Sequence, residues 1–134
     1  MTTRTIRQSL AQCHTIAVVG LSPKPHRDSF RVAKYMQDHG FRIVPINPNA
    51  PEVLGETAYA SLTEAAQHVR IDMVNCFRNS EDIPPIAAEA IAIGAKSLWL
   101  QIGVTHDAAA QQATDAGLLV VQDRCLMVEH RQLR

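Results

Sequence analysis

The chain has 134 residues, 46% of them hydrophobic and 19% charged, with 13 basic and 13 acidic side chains and a net charge of zero. This composition fits one globular domain and argues against disorder and against broad attraction to nucleic acid or anionic lipid. No apolar run approaches the roughly 20 residues of a membrane helix and the amino terminus lacks the apolar core of a signal peptide, so a cytoplasmic protein is expected.

Residues 3–13 are predicted as a leading helix. TIAVVG, residues 15–20, is a continuous apolar run that suits a strand buried on both faces. The loop LSPKPHRD follows, and a helix is expected over 29–39, capped by Asp28 or Ser29 and ended by Gly40. RIVPI, 42–46, is the second strand, broken by Asn47-Pro48-Asn49. Residues 52–59 read as an irregular connection with Gly55 in a turn, and Ser61 caps a short helix over 62–69. The third strand is 72–77, the next helix 83–93 with Pro84 and Pro85 in its first turn, and the fourth strand 97–102. An Ala-rich helix over 107–116, a fifth strand over 118–122 and a helical turn over 125–130 complete the chain.

Five short apolar runs alternating with helices predict an α/β fold, a Rossmann-like, doubly wound sheet of about five mostly parallel strands with helices on both faces, in one domain over 1–134. Ligands of such sheets sit beyond the carboxyl ends of the strands. That rule nominates 20–29, 47–49, 77–80, 101–105 and 123–125.

The first loop departs from the dinucleotide fingerprint G-x-G-x-x-G. Gly20 is present, but Ser22 and Pro25 stand at the other two glycine positions, and Asn47 replaces the acidic residue expected after the second strand. NAD binding is therefore disfavoured, and no P-loop motif appears. Two readings of the loop stay open. It is a solvated basic turn, or Ser22 and Ser29 with Lys24, His26 and Arg27 hold a phosphate at the following helix start. Asn47-Pro48-Asn49 likewise reads as a plain loop or as a base or ribose contact. Arg78 is a solvated side chain or a phosphate clamp. The six histidines are scattered without ligand spacing, so no metal site is expected. Asp123, Glu129 and His130 read as surface charges, and no catalytic set stands out.

Taken together, G-x-S-x-x-P, N-P-N, C-F-R, W-L-Q-x-G and D-R-C-L-M-x-E-H give the chain a resemblance to the small single-domain CoA-binding proteins, which are similar to the CoA-binding domain of the succinyl-CoA synthetase alpha subunit. The matching stretches, 16–36, 42–62, 72–104 and 116–130, span nearly the whole chain. The resemblance implies coenzyme A as ligand. It assigns phosphate binding to Gly20, Leu21 and Ser22, adenosine or 3′-phosphate contacts to Asn47, Pro48 and Asn49, and the rest of the groove to Cys76, Phe77, Arg78, Gln101, Ile102 and Gly103. Asn49 departs from the lysine frequent in such relatives, which implies a weaker phosphate contact there. The chain lacks the extra domains of the synthetase, so a binding module acting as carrier, sensor or accessory is expected, with CoA or an acyl-CoA as partner and a protein partner or a second copy left open. The alternative is an enzyme acting on a CoA thioester or another adenine nucleotide through Cys76 or Cys125 near the ligand thiol.

Overall fold

The computed structural model describes residues 3–134. Five strands form one parallel sheet: β1 (Thr15–Val19), β2 (Arg42–Ile46), β5 (Met73–Cys76), β6 (Ser97–Leu100) and β7 (Leu119–Val121). Their spatial order is β2-β1-β5-β6-β7. The chain leaves β1 toward one edge and β5 toward the other, so a crevice opens between their carboxyl ends.

The pleat divides the apolar side chains between two cores. Ala17, Val19, Val44, Val74, Cys76 and Leu98 face α3 (Leu62–Ala66), α4 (Ile83–Ala92) and α5 (Asp107–Asp115). Ile16, Val18, Ile43, Met73, Trp99 and Val121 face α1 (Thr3–Ala11), α2 (Asp28–Asp38) and α6 (Leu126–Leu133). The expected doubly wound α/β arrangement is what the structure shows. At the amino edge the buried Asp72 carboxylate ties β5 to β1, accepting from the N–H groups of His14 (2.9 Å) and Thr15 (3.0 Å).

Several boundaries differ from expectation. The segment read as irregular contains a hairpin, β3 (Glu52–Val53) and β4 (Glu56–Thr57). Leu54 (φ 56°) and Gly55 (φ 76°) form its two-residue turn, and a leucine in the left-handed region is not a hairpin signal. Gln37 of α2 donates to the Leu54 carbonyl at 3.0 Å and holds the turn down. The residue preceding α2 is Arg27, not Asp28 or Ser29, and no side chain caps it. Asp28 instead pairs with Arg31 along the helix. Ser61 does cap α3, its hydroxyl accepting from the Glu64 N–H at 3.1 Å. The final helical segment is longer than a turn and reaches Leu133. Among the described residues no helix is long and apolar enough to cross a membrane.

Candidate functional site

The crevice begins at Gly20, where β1 ends. Gly20 has φ +85°, and a Cβ placed there would lie 2.7 Å from the Phe77 carbonyl oxygen and 3.1 Å from Arg78 Cδ. Only glycine lets the two strand ends meet this closely in that conformation. The Phe77 N–H donates to the Val19 carbonyl at 2.9 Å and fixes the meeting point.

The loop after Gly20 is organised from within. Ser29 is buried, and its hydroxyl accepts from the Ser22 N–H at 3.0 Å. The Ser22 hydroxyl accepts from the Lys24 N–H at 3.1 Å. Each hydroxyl still has its own hydrogen to donate. Leu21 is fully buried, and its carbonyl accepts from Asn47 Nδ2 at 2.9 Å. Asn47 Oδ1 in turn accepts from the Asn49 N–H at 2.8 Å. Asn47 thus braces the loops after β1 and β2 against each other.

Two cavities flank this loop. The larger, about 540 Å³, has an apolar floor of Val19, Ile46 and Ile86 and a polar wall that includes Ser22, Asn47 and Arg78. The smaller, about 440 Å³, is lined by Lys24, Arg27, Ser29 and Phe77, and by Asp28, whose carboxylate is paired with Arg31. Gly20 and Ser22 border both. Lys24 and Arg27 are exposed and form no ion pair among the described residues. The first-turn amides of α2 lack a side-chain cap. Cations and free amides therefore converge on the smaller cavity, as an anion requires. Arg78 is shared with Asp82 at 3.3 Å, an exposed pair that a ligand anion can displace.

Of the residues nominated from sequence, Gly20, Ser22, Asn47, Pro48, Asn49 and Arg78 line the larger cavity. Lys24, Arg27, Ser29 and Phe77 join Gly20 and Ser22 at the smaller one. Neither cavity reaches the others. Cys76 is fully buried on the α3–α4 side, where burial pushes its thiol up to about 12 although Arg78 pulls it down. Its expected place in the groove is corrected by the pleat, which turns it into the core while Phe77 faces the opposite side. Gln101 is also buried; its Oε1 accepts from the Leu126 N–H at 2.9 Å and from Asn75 Nδ2 at 3.2 Å, so it anchors the start of α6. Ile102 is 67% exposed on the neighbouring loop, and the Gly103 N–H donates to the Asp123 carboxylate at 2.7 Å. Cys125, half-buried, precedes α6.

Sequence reasoning missed Glu89, which lines the larger cavity from α4. Its Oε2 accepts from the Thr63 N–H (2.9 Å) and hydroxyl (2.7 Å). It missed Ser61 there as well, although the S-x-x-E cap had placed a helix start beside the Asn47 loop. No group of three or more potential ligand side chains able to hold a metal occurs among the described residues.

A family model described as a CoA binding domain matches residues 14–131. The chain belongs to this CoA-binding domain family. A curated family relative, the uncharacterised YneT of Bacillus subtilis (strain 168), is 42% identical over 125 residues, covering 93% of this chain and 91% of that protein. The solved structure of a hypothetical protein from Pyrococcus horikoshii OT3 superposes with a TM-score of 0.92 at 38% identity, covering 99% and 92% of the two chains. A dinucleotide-forming acetyl-coenzyme A synthetase of Ca. Korarchaeum cryptofilum shares the fold, with a TM-score of 0.73 at 20% identity over 85% of this chain and 26% of its own. The resemblance drawn from the motifs thus holds at the level of the family.

Proposed function

We propose that this protein binds coenzyme A across the carboxyl edge of its sheet and acts as a non-catalytic carrier, sensor or accessory module. The observation that carries the reading is the paired cavity around Gly20 and Ser22 in a chain of the CoA-binding domain family. The residues present fit the group. The larger cavity lies within the roughly 300–1,000 Å³ range of ligand pockets, and the smaller one gathers Lys24, Arg27 and the α2 amides for phosphate.

In this reading the pyrophosphate takes the Ser22 hydroxyl and the α2 start, while Arg78 takes a phosphate oxygen. The adenosine occupies the larger cavity over Val19 and Ile46. Glu89 keeps one carboxylate oxygen without a hydrogen-bond partner among the described residues, and it receives a ribose hydroxyl or the adenine amino group. The pantetheine arm runs toward Phe77 and the exposed Ile102. The catalytic alternative loses Cys76, which is fully buried in the core, and rests on Cys125.

Calorimetric titration with CoA, acetyl-CoA, ADP and NAD tests the reading. Saturable binding of CoA with NAD silent supports it, and acetyl-CoA reports whether the thiol end is read. Absence of both heat and thermal stabilisation with CoA would leave the family relationship describing the fold alone. A CoA adduct in the intact mass that vanishes in Cys125→Ser would favour the catalytic alternative.

A further inference from the structure

The opposite edge of the molecule carries a second concave site. A cavity of about 340 Å³ lies between α1, the segment before β2 and the end of α6. Its apolar part is made by Leu10, Phe41 and Leu133, and its polar part by Arg7, His130 and Arg134. No acidic side chain lines it. Leu133 is 37% exposed, one of the few large apolar side chains left open to water. Arg7 is exposed and forms no ion pair among the described residues.

The surroundings add further basic side chains. Arg134 donates to His39 Nε2 at 3.0 Å, and His39 Nδ1 donates to the Tyr35 carbonyl at 2.7 Å. The Tyr35 hydroxyl meets His130 Nδ1 at 2.9 Å. The Arg131 guanidinium lies 6.0 Å from the Tyr35 ring centre. The imidazoles of His39 and His130 are 5.4 Å apart. The acids closest in sequence are engaged elsewhere, Asp38 with Lys34 on α2 and Glu129 with Arg124. Arg7 from α1 and His130 and Arg134 from α6 line the cavity, with His39 behind them against Arg134 and His130, and Arg131 over the Tyr35 ring. In a chain of zero net charge this is a local excess of cations beside an apolar wall.

We propose that this cavity is a second binding site, for a small organic anion with an apolar tail, of the class of short-chain or aromatic carboxylates. The tail covers Leu10, Phe41 and Leu133, and the carboxylate takes N–H donors from Arg7 and Arg134. His130 couples the site to protons. Burial, with His39 and Arg134 beside it, holds its imidazole below the usual histidine range. A bound carboxylate adds a counter-charge beside the ring and draws a proton onto His130.

Hexanoate is the probe, with 1-hexanol as its uncharged counterpart, followed by the NMR signals of His130 and Tyr35 in the intact protein. Saturable shifts with a Kd of about 1 mM or tighter are expected, with hexanol at least about tenfold weaker and with the His130 titration displaced upward by hexanoate. Arg7→Gln, an exposed change that leaves the fold in place, weakens hexanoate about fivefold or more and leaves CoA titration untouched. Equal binding of hexanol and hexanoate, or an Arg7→Gln protein that binds hexanoate as before, would overturn the proposal. So would shifts at these residues that follow protein concentration instead of hexanoate, since they would show a second copy covering the groove. Neither the proposal nor its test depends on CoA binding at the other edge.

Discussion

Gly20→Ala tests the claim that the site depends on the close meeting of β1 and β5. The substitution meets two obstacles. A φ of +85° places an alanine in the left-handed region, at a cost of about 1–2 kcal/mol. Its Cβ would also sit 2.7 Å from a backbone oxygen, which has no rotamer by which to move away. Separating the strand ends to relieve this costs about 1–3 kcal/mol more, by analogy with an overpacked core. The sum is about 2–5 kcal/mol, or roughly 8–20 °C in Tm at about 4 °C per kcal/mol for a chain of this size. Gly94→Ala is the control. Gly94 has φ +77°, but nothing lies within 4 Å of its Cβ position, so only the conformational cost applies. Thermal and urea unfolding followed by circular dichroism should separate the two variants by about 1–3 kcal/mol, with CoA affinity falling in Gly20→Ala alone. If the two variants melt within about 1 °C of each other, the close-approach argument is wrong and the strand ends are free to part.

Arg78→Gln should weaken CoA about tenfold or more, the worth of a charged hydrogen bond, while changing stability by less than about 1 kcal/mol because its pair with Asp82 is exposed; calorimetry and a melt on one sample decide both. Burial alone would raise the Asp72 carboxyl, but the N–H groups of Thr15 and His14, with Lys96 and Arg70 nearby, hold it below the usual carboxylate range. Its contribution is therefore present above the unfolded value of about 3.9 and is lost as pH falls through the lower folded value. Asp72→Asn should cost about 1–3 kcal/mol at neutral pH and flatten the acid side of a urea-stability profile, and an unchanged profile would count against this tie. Iodoacetamide at pH 8 should label Cys125 in the native protein and spare Cys13 and Cys76, whose thiols burial pushes up to about 12; peptide mapping that finds Cys76 modified without unfolding would contradict its placement in the core.

Much of the fold was legible because its strands are continuous apolar runs, as expected where both faces are covered. The order of strands and helices needed no more than that. The hairpin was not legible, since Leu54 occupies a conformation its side chain disfavours and depends on a distant donor, Gln37, to hold it. Within the site, the strand-end rule found Gly20, Asn47 and Arg78, while the family resemblance took Cys76, Phe77 and Arg78 as one unit. The two-residue period of a strand, applied to Val74 and Cys76, would have sent the cysteine into the core. Gln101 was read as a groove residue from its place at a strand end and from the family resemblance. Once α6 is a full helix, its first amide needs an acceptor, and Gln101 supplies it. Glu89 had no sequence signal, because its approach to the cavity depends on the rotation of α4 against the sheet.

The Asn47 side chain has a kinetic consequence. One carboxamide joins the loops of two adjacent strands by hydrogen bonds that need no ligand. A site assembled in advance loses little conformational entropy on binding. Under the proposed function, the association rate should follow the field of Lys24, Arg27 and Arg78 and fall as salt screens them. Asn47→Ala, which removes both hydrogen bonds, should then slow association and make it depend less on salt.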